Sequence, residues 1–458
     1  MMFLVLLFLS VSSGKSENYN KYSETGQTFV KYFSPKVYDA LPDNWTIIQD
    51  NRGVMYFGNE SGILEYDGTE WRKIQVPNSA NVRSMTVADD GTIYVCASGD
   101  FGYLRPDSTG QMKYQSLKPF LDKKFYNSGE MWDVAADAKD VFFKTKDKIF
   151  KWDGYQISVI DSVFAFRLYK IDDKIYSRNQ DVGLMVIDGD SVKVMPDGGF
   201  FADIGVYDML PVISKTGNQK EKILVTTNYS GLFIHDGTKF YPFKTDVDSF
   251  LIKSQVYNAC ILADGNIALA TQRGGVVIID TEGQLVRFID ENSGLPTNVI
   301  YDVYADRQDG LWLATNNGIV YCETPSPFSI FNNSGALKNM SSSVIRFDDI
   351  IYLTNDLGVL YLSDEQFTFK LVEGSNKPAY ELFDAGDVLL AGTNWGLVVV
   401  YDKKIKKFLV NAITERLITS KIFPGRIYAG TGDGLIVIQK QKNRFKVEYT
   451  FETPDYVD

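Results

Sequence analysis

A chain of 458 residues with 45% hydrophobic content can bury a large core, but it exceeds one ordinary compact domain, so several domains or a repeat architecture is expected. A net charge of −11 leaves no basic face to neutralise phosphates and speaks against nucleic-acid binding. One histidine (His235) and three widely spaced cysteines (Cys96, Cys260, Cys322) leave almost no material for a metal site or a His-paired nucleophile, so no metal or cofactor is expected.

The chain opens with "MMFLVLLFLSVSSGKSENYN". The apolar run at residues 3–11 is too short to span a bilayer and fits the core of a secretory signal, although no basic segment precedes it. Val11 and Ser13 suit a −3/−1 cleavage pattern near Gly14. Residues 1–14 are therefore expected to be a signal peptide, with the rest of the chain periplasmic or extracellular. In the N-terminal segment 15–42, "TFVKYFSP" at residues 28–35 reads as a strand with no hairpin partner of its own.

From there the chain repeats itself about every 41 residues. The copies are aligned on a glycine that opens an apolar run: Gly62, Gly102, Gly183, Gly231, Gly275, Gly318, Gly358, Gly396 and Gly434. A degenerate copy at residues 141–154 has lost the glycine and departs most from the others. Each copy begins with an alternating run such as "VIYDVYA", then an Asp/Gly turn such as "DRQDG". A short strand ("LWLAT"), a tight turn ending in glycine, a third strand ("IVYC") and an aromatic fourth segment ("FSIF") follow. Period-2 patterning with turn residues at these offsets predicts four short strands per copy. The glycine after T-x-x is wanted where the turn needs positive φ.

Ten such copies without helices predict an all-β chain of β-propeller blades. The proline pair in "CETPSPFSIF" marks a boundary after the seventh copy. The expected organisation is a seven-bladed propeller over residues 43–333, closed by the strand at residues 28–35, then three blades of a second, incomplete ring over 334–458. A single ring of ten blades is the alternative.

The best-formed copy is "SGLPTNVIYDVYADRQDGLWLATNNGIVYC" at residues 293–322. It resembles the two-component regulator propeller repeat, whose pattern GLP-x-N-x-V, then D-x-x-G-x-LW-h-x-T-x-x-G-h, is matched by Gly294, Leu295, Pro296, Asn298, Asp306, Leu311, Trp312, Thr315 and Gly318, with Gly310 one residue past the pattern's glycine. The opening "NWTIIQDNRGVMYFGNESGILEYDGTEWRKI" also looks like the first blade of such sensors. In that family two propellers usually precede a triple-tyrosine immunoglobulin-like domain, a membrane helix and a cytoplasmic kinase or helix-turn-helix output. The resemblance implies the extracytoplasmic sensory region of a bacterial signal-transduction regulator, often for glycans, with the output domain outside this chain.

Several motifs have plainer readings. "GTGDG" (residues 430–434) looks like a phosphate loop, but a strand follows it where a helix N-terminus is needed. The "DDG", "ADG" and "DRQDG" stretches lack the spaced ligands of a calcium loop and read as hairpin turns. Trp312 alternates with core residues and should pack between blades.

Topology directs the search for a ligand site to the face carrying the second-to-third-strand turns and the blade connections. That face would carry Glu60, Asp100, Gln180, Tyr229, Arg273, Asn316 and Asn317 from the turns, with Trp132 and Asn298 from the connections. In the later copies Trp395 sits in a turn, where packing demands less. Such polar and aromatic residues suit a carbohydrate or another small molecule, and a homodimer is a further candidate partner. A non-enzymatic role is expected. A secreted glycosidase or lyase would need paired carboxylates, and Asp100 with Glu60 is the pair the sequence offers. An interaction scaffold is the third reading.

Overall fold

The computed structural model describes residues 26–126, 128–161, 163–212, 222–324, 326, 328, 330–331, 340–363, 368–442 and 444–452. The expected signal peptide lies outside them. Among the described residues, ten four-stranded antiparallel sheets, numbered in chain order, account for the ten copies. They fall into two compact units, one spanning Thr28–Phe328 with sheets 1–7, the other containing sheets 8–10.

In the larger unit each sheet is flanked by its sequence neighbours, and this explains the burial of its strands. In sheet 7 the second strand, Leu311–Thr315, is buried at every position because both of its faces meet another sheet. The first strand, Ile300–Ala305, is only intermittently buried because part of it faces an internal cavity. Fourth strands such as Met112–Ser116 are only half-buried. Each seam holds its own hydrophobic cluster. The seventh cluster joins Trp312, Ala314 and Ile319 of sheet 7 to Ile47, Phe57 and Leu64 of sheet 1.

Sheet 7 is completed from the far end of the chain. Strand Val30–Phe33 pairs antiparallel with Gly318–Cys322, with Val30 opposite Cys322 and Phe33 opposite Ile319. The segment "FSIF", expected as the fourth strand of this copy, does not take that place. Its Ile330 makes only an isolated bridge to Gln27 in the smaller unit. The N-terminal strand brings Phe33, which stacks on Trp312 with ring centroids 5.8 Å apart and meets Trp71 edge-on at 5.3 Å.

The T-x-x-G signature is a tied turn. Thr315 Oγ1 donates to the Gly318 carbonyl at 2.9 Å and accepts from the Asn317 N–H at 3.0 Å. Thr431 and Gly434 in "GTGDG" make the same tie at 2.9 Å, between two strands of sheet 10. Gly318 has φ +99°, and a Cβ there would lie 2.7 Å from the Phe33 carbonyl oxygen. Replacing Gly318 with alanine is expected to destabilise the larger unit by about 2–4 kcal/mol, read by urea denaturation. A change under about 0.5 kcal/mol would show that the closing strand yields freely.

The alignment on Gly102 needs correcting. That residue lies inside strand Asp100–Pro106, and Gly99, at φ +77°, takes the turn. Asp306 of "DRQDG" builds its turn by accepting the N–H groups of Gln308 and Gly310, each at 2.9 Å, and the Trp312 indole N–H at 2.7 Å.

The degenerate sheet 3 carries a fully buried lysine, Lys144, where sheets 6 and 7 have Ala270 and Ala314 in register with the same belt position. Its ammonium donates to the carbonyls of Thr145, Lys148 and Val163. Burial pulls its pKa down to about 7. Cys96, Cys260 and Cys322 are free thiols on strands.

In the smaller unit, one cluster lies between sheets 8 and 9, around Val359, Leu382 and Val398. A second lies between sheets 9 and 10, around Leu390, Leu397 and Ile427.

Candidate functional site

The site begins with a backbone irregularity. In sheets 1, 2, 5, 6 and 7 the first strand slips register by one residue just after its start, a β-bulge. The extra residues are Trp45, Arg83, Tyr207, Tyr257 and Tyr301. A bulge re-aims its side chain, and all five line a single cavity of ≈ 580 Å³. Trp132 of sheet 3 and Phe166 just before sheet 4 join them.

These residues form an aromatic collar. Trp45 stacks on Tyr301 at 4.3 Å, Tyr257 lies 6.0 Å from Tyr301 and 5.7 Å from Tyr207, and Trp132 meets Phe166 at 5.3 Å. Two guanidinium groups are set into it: Arg83 lies 4.5 Å from the Trp132 ring and 5.3 Å from the Trp45 ring, and Arg167 lies 4.5 Å from the Tyr257 ring.

One residue further along each strand runs a polar belt: Thr46, Ser84, Asp133, Arg167, Asp208, Asn258 and Asp302. Five of its members fasten the wall by accepting a backbone N–H of the next sheet. Ser84 accepts from Val134 at 3.3 Å, Asp133 from Leu168 at 2.8 Å and Asp208 from Ala259 at 2.9 Å. Asn258 accepts from Val303 at 3.3 Å, and Asp302 of sheet 7 from Ile47 of sheet 1 at 2.7 Å.

Desolvation inside the cavity raises the Asp133 pKa, lifts Asp208 to about 6 and lifts Asp302 to about 7. Burial also opposes the Arg167 charge. Tyr257, Asp133, Tyr169 and Asp208 outweigh it and hold the guanidinium above its ordinary value.

Of the residues proposed from sequence, Trp132 lines this cavity. Glu60 lies near enough for its charge to bear on Asp43 and Tyr301. Asp100 Oδ1 accepts from the Tyr114 hydroxyl at 3.0 Å and the Ser116 hydroxyl at 2.7 Å. The Gln180 N–H donates to Phe164 O at 3.0 Å. Tyr229 is exposed, and its hydroxyl accepts from Gln255 at 3.0 Å. Arg273 is exposed in the turn after Thr271. Asn298 accepts from the Glu291 N–H at 2.9 Å. Asn316 has a buried Oδ1 with no hydrogen-bond partner among the described residues, whereas Asn317 meets the Tyr32 hydroxyl at 3.4 Å. Trp395, in the smaller unit, packs partly on the cluster between sheets 8 and 9, with Lys377 5.9 Å from its ring.

Apart from Trp132, the collar and belt were missed at the sequence level. Their signal is the recurring triplet at the start of each copy: "NWT", "VRS", "MWD", "VYD", "VYN" and "IYD".

Residues 294–317 match the two component regulator propeller family. No curated protein matches the chain. Among solved structures the chain is similar to the extracellular domain of BT3049, described as a hybrid two-component system of B. thetaiotaomicron. The two share 17% identity over 93% of this chain and 61% of that one, with a TM-score of 0.64. This chain therefore spans less than two thirds of that domain. It also matches the extracellular domain of BT4673 from B. thetaiotaomicron, described as a one-component system, at 12% identity over 92% of this chain and 67% of that one, with a TM-score of 0.49. A streptogramin B lyase matches at 13% identity over 65% of this chain and 98% of the lyase, with a TM-score of 0.48. The matched repeat at residues 294–317 falls in the seventh of ten successive four-stranded sheets among the described residues.

Proposed function

We propose that this chain is the extracytoplasmic ligand-sensing region of a bacterial signal-transduction regulator, and that it takes a saccharide or another small molecule. The observation that carries this reading is the collar: aromatic faces and charged hydrogen-bonding groups converge on one cavity of ≈ 580 Å³. That volume falls within the range of roughly 300–1,000 Å³ typical of small-molecule sites. The family repeat and the fold shared with an extracellular domain of a hybrid two-component system support the same reading. The cavity's carboxylates hold backbone N–H groups of neighbouring sheets, which suits them to a wall rather than to acid catalysis, so binding without turnover is the role proposed. A bound ligand would bridge several first strands and alter the packing of the ring or of a dimer. An output domain outside this chain would read that change.

The test is a ligand screen by thermal shift, followed by calorimetry on wild type and Trp45→Ala. A hit whose affinity falls at least tenfold in the variant supports the collar as the sensor site. Ligands that bind both proteins equally would place recognition elsewhere.

A further inference from the structure

We propose that Arg167 anchors the ligand of the collar, and that the ligand meets it with an oxyanion, a carboxylate or phosphate group. This deepens the sensor reading and rests on the collar being the ligand site. The belt supplies the first reason. Five of its seven members accept a backbone N–H of the next sheet, and Arg167, which carries donors only, cannot. At its seam the Met209 N–H is taken instead by Asp208 of its own sheet, at 2.8 Å. Sheet 4 is tied to sheet 5 by Tyr169, whose hydroxyl donates to the Val206 carbonyl at 2.9 Å. An arginine thus stands in a wall that it does not fasten.

Its guanidinium reaches into the cavity. Arg167 precedes the first strand of sheet 4, yet its guanidinium carbon lies 4.5 Å from the Tyr257 ring of sheet 6. Sheet 5 comes between them in order, so the tip stands in the space that both residues line and not in a seam. Arg167 keeps part of its surface accessible. The other lining cations are already engaged. Arg83 meets Glu130 at 3.6 Å, Lys170 meets Asp89 at 3.3 Å, and Arg178 donates to the Phe201 and Ala202 carbonyls. The Arg167 guanidinium has neither a hydrogen bond nor an ion pair among the described residues.

The carboxylates around it are turned to other donors. Asp133 accepts from Ser84, Val134 and Leu168, and Asp208 accepts from Met209 and Ala259. Their charges hold the guanidinium ionised without occupying its N–H groups. A planar fork stacked on an aromatic ring, with its N–H edge open, is matched by an anion that presents two oxygens and accepts two bonds at once. A neutral hydroxyl satisfies one.

The full chain is titrated calorimetrically at fixed ionic strength with inorganic phosphate, with galacturonate and with galactose. At least one of the two anions is expected to bind, with galactose at least tenfold weaker. Phosphate binding would show that the free inorganic ion suffices, and binding of galacturonate alone that the collar also holds the body of the ligand. Arg167→Lys keeps a positive charge beside Asp133 and Asp208 but removes the fork, and should weaken the bound anion at least tenfold. Should that variant not fold, Tyr257→Leu replaces it in the comparison. It removes the ring that positions the guanidinium and should weaken the anion several-fold.

Failure of both anions to bind, or equal affinity in wild type and variant, would overturn the assignment. Galactose binding as tightly as galacturonate would do the same. The sensor reading is decided separately, by whether any ligand from the wider screen loses affinity in Trp45→Ala.

Discussion

Replacing Trp312 with alanine will lower the unfolding free energy of the larger unit by about 3–5 kcal/mol. The side chain is 6% exposed and lies at the seam where the last sheet meets the first. It stacks on Phe33 and lies 5.4 Å from Phe57, 5.9 Å from Tyr66 and 4.9 Å from Tyr321. Removing it opens a cavity among groups held by four different strands, which cannot collapse together. It also strips Asp306 Oδ2 of its buried indole donor. Trp312→Phe separates the two effects. It restores most of the ring packing, and its residual loss, about 1–2 kcal/mol, measures the hydrogen bond. Urea denaturation of the three proteins provides the comparison. A loss below about 1 kcal/mol for the alanine variant would mean that the seam is held by the backbone pairing of Val30–Phe33 alone.

Asp302→Asn should raise stability at pH 8 while changing little at pH 4. The sign follows from the direction of the shift. Desolvation lifts the folded-state pKa of Asp302 to about 7, far above its ordinary value of 3.8. Between those values the folded state binds more protons than the unfolded state, so stability falls as pH rises through that window. Below it both states are protonated and no penalty exists. Above it the full cost of an ionised, desolvated carboxylate applies, on the order of 2–4 kcal/mol. Asparagine keeps an acceptor for the Ile47 N–H, since Asn258 already performs this task toward Val303 one sheet earlier. Thermal melts from pH 4 to 8 should therefore show a flatter profile for the variant, with a gain of several degrees at the alkaline end. Parallel profiles would show that Asp302 ionises in the folded protein as easily as it does in water.

The architecture was legible because each strand obeys local rules. "LWLAT" is continuously apolar where two sheets cover it, and Thr315 and Gly318 form the turn that T-x-x-G announces. Reading Gly102 as the turn glycine failed because Gly99, three residues earlier, offers the same freedom, and only pairing register distinguishes them. The site was harder to read for a physical reason. Strict alternation puts Tyr301 and Asp302 on opposite faces of their strand, yet the bulge turns both toward the cavity. Turns were the natural place to search, but Asp100 is held by Tyr114 and Ser116 of its own sheet. Lys144 was illegible for a similar reason, because only the packed sheet supplies the three carbonyls that make a buried ammonium tolerable.

The strand that completes sheet 7 has a consequence for the order of events as the chain emerges. Val30–Phe33 appears first, yet its partner Gly318–Cys322 follows roughly 290 residues later. At about 5–20 residues per second the early strand waits some 15–60 s before it can pair. Through that interval it is an unpaired edge, the kind of segment that recruits wrong partners. Its sequence, "VKYF", places Lys31 in the middle, and a charge there discourages stray pairing until the right edge arrives. Closure is thus a late, non-local step that earlier sheets cannot hasten, and the same four residues are where the finished unit would first come open.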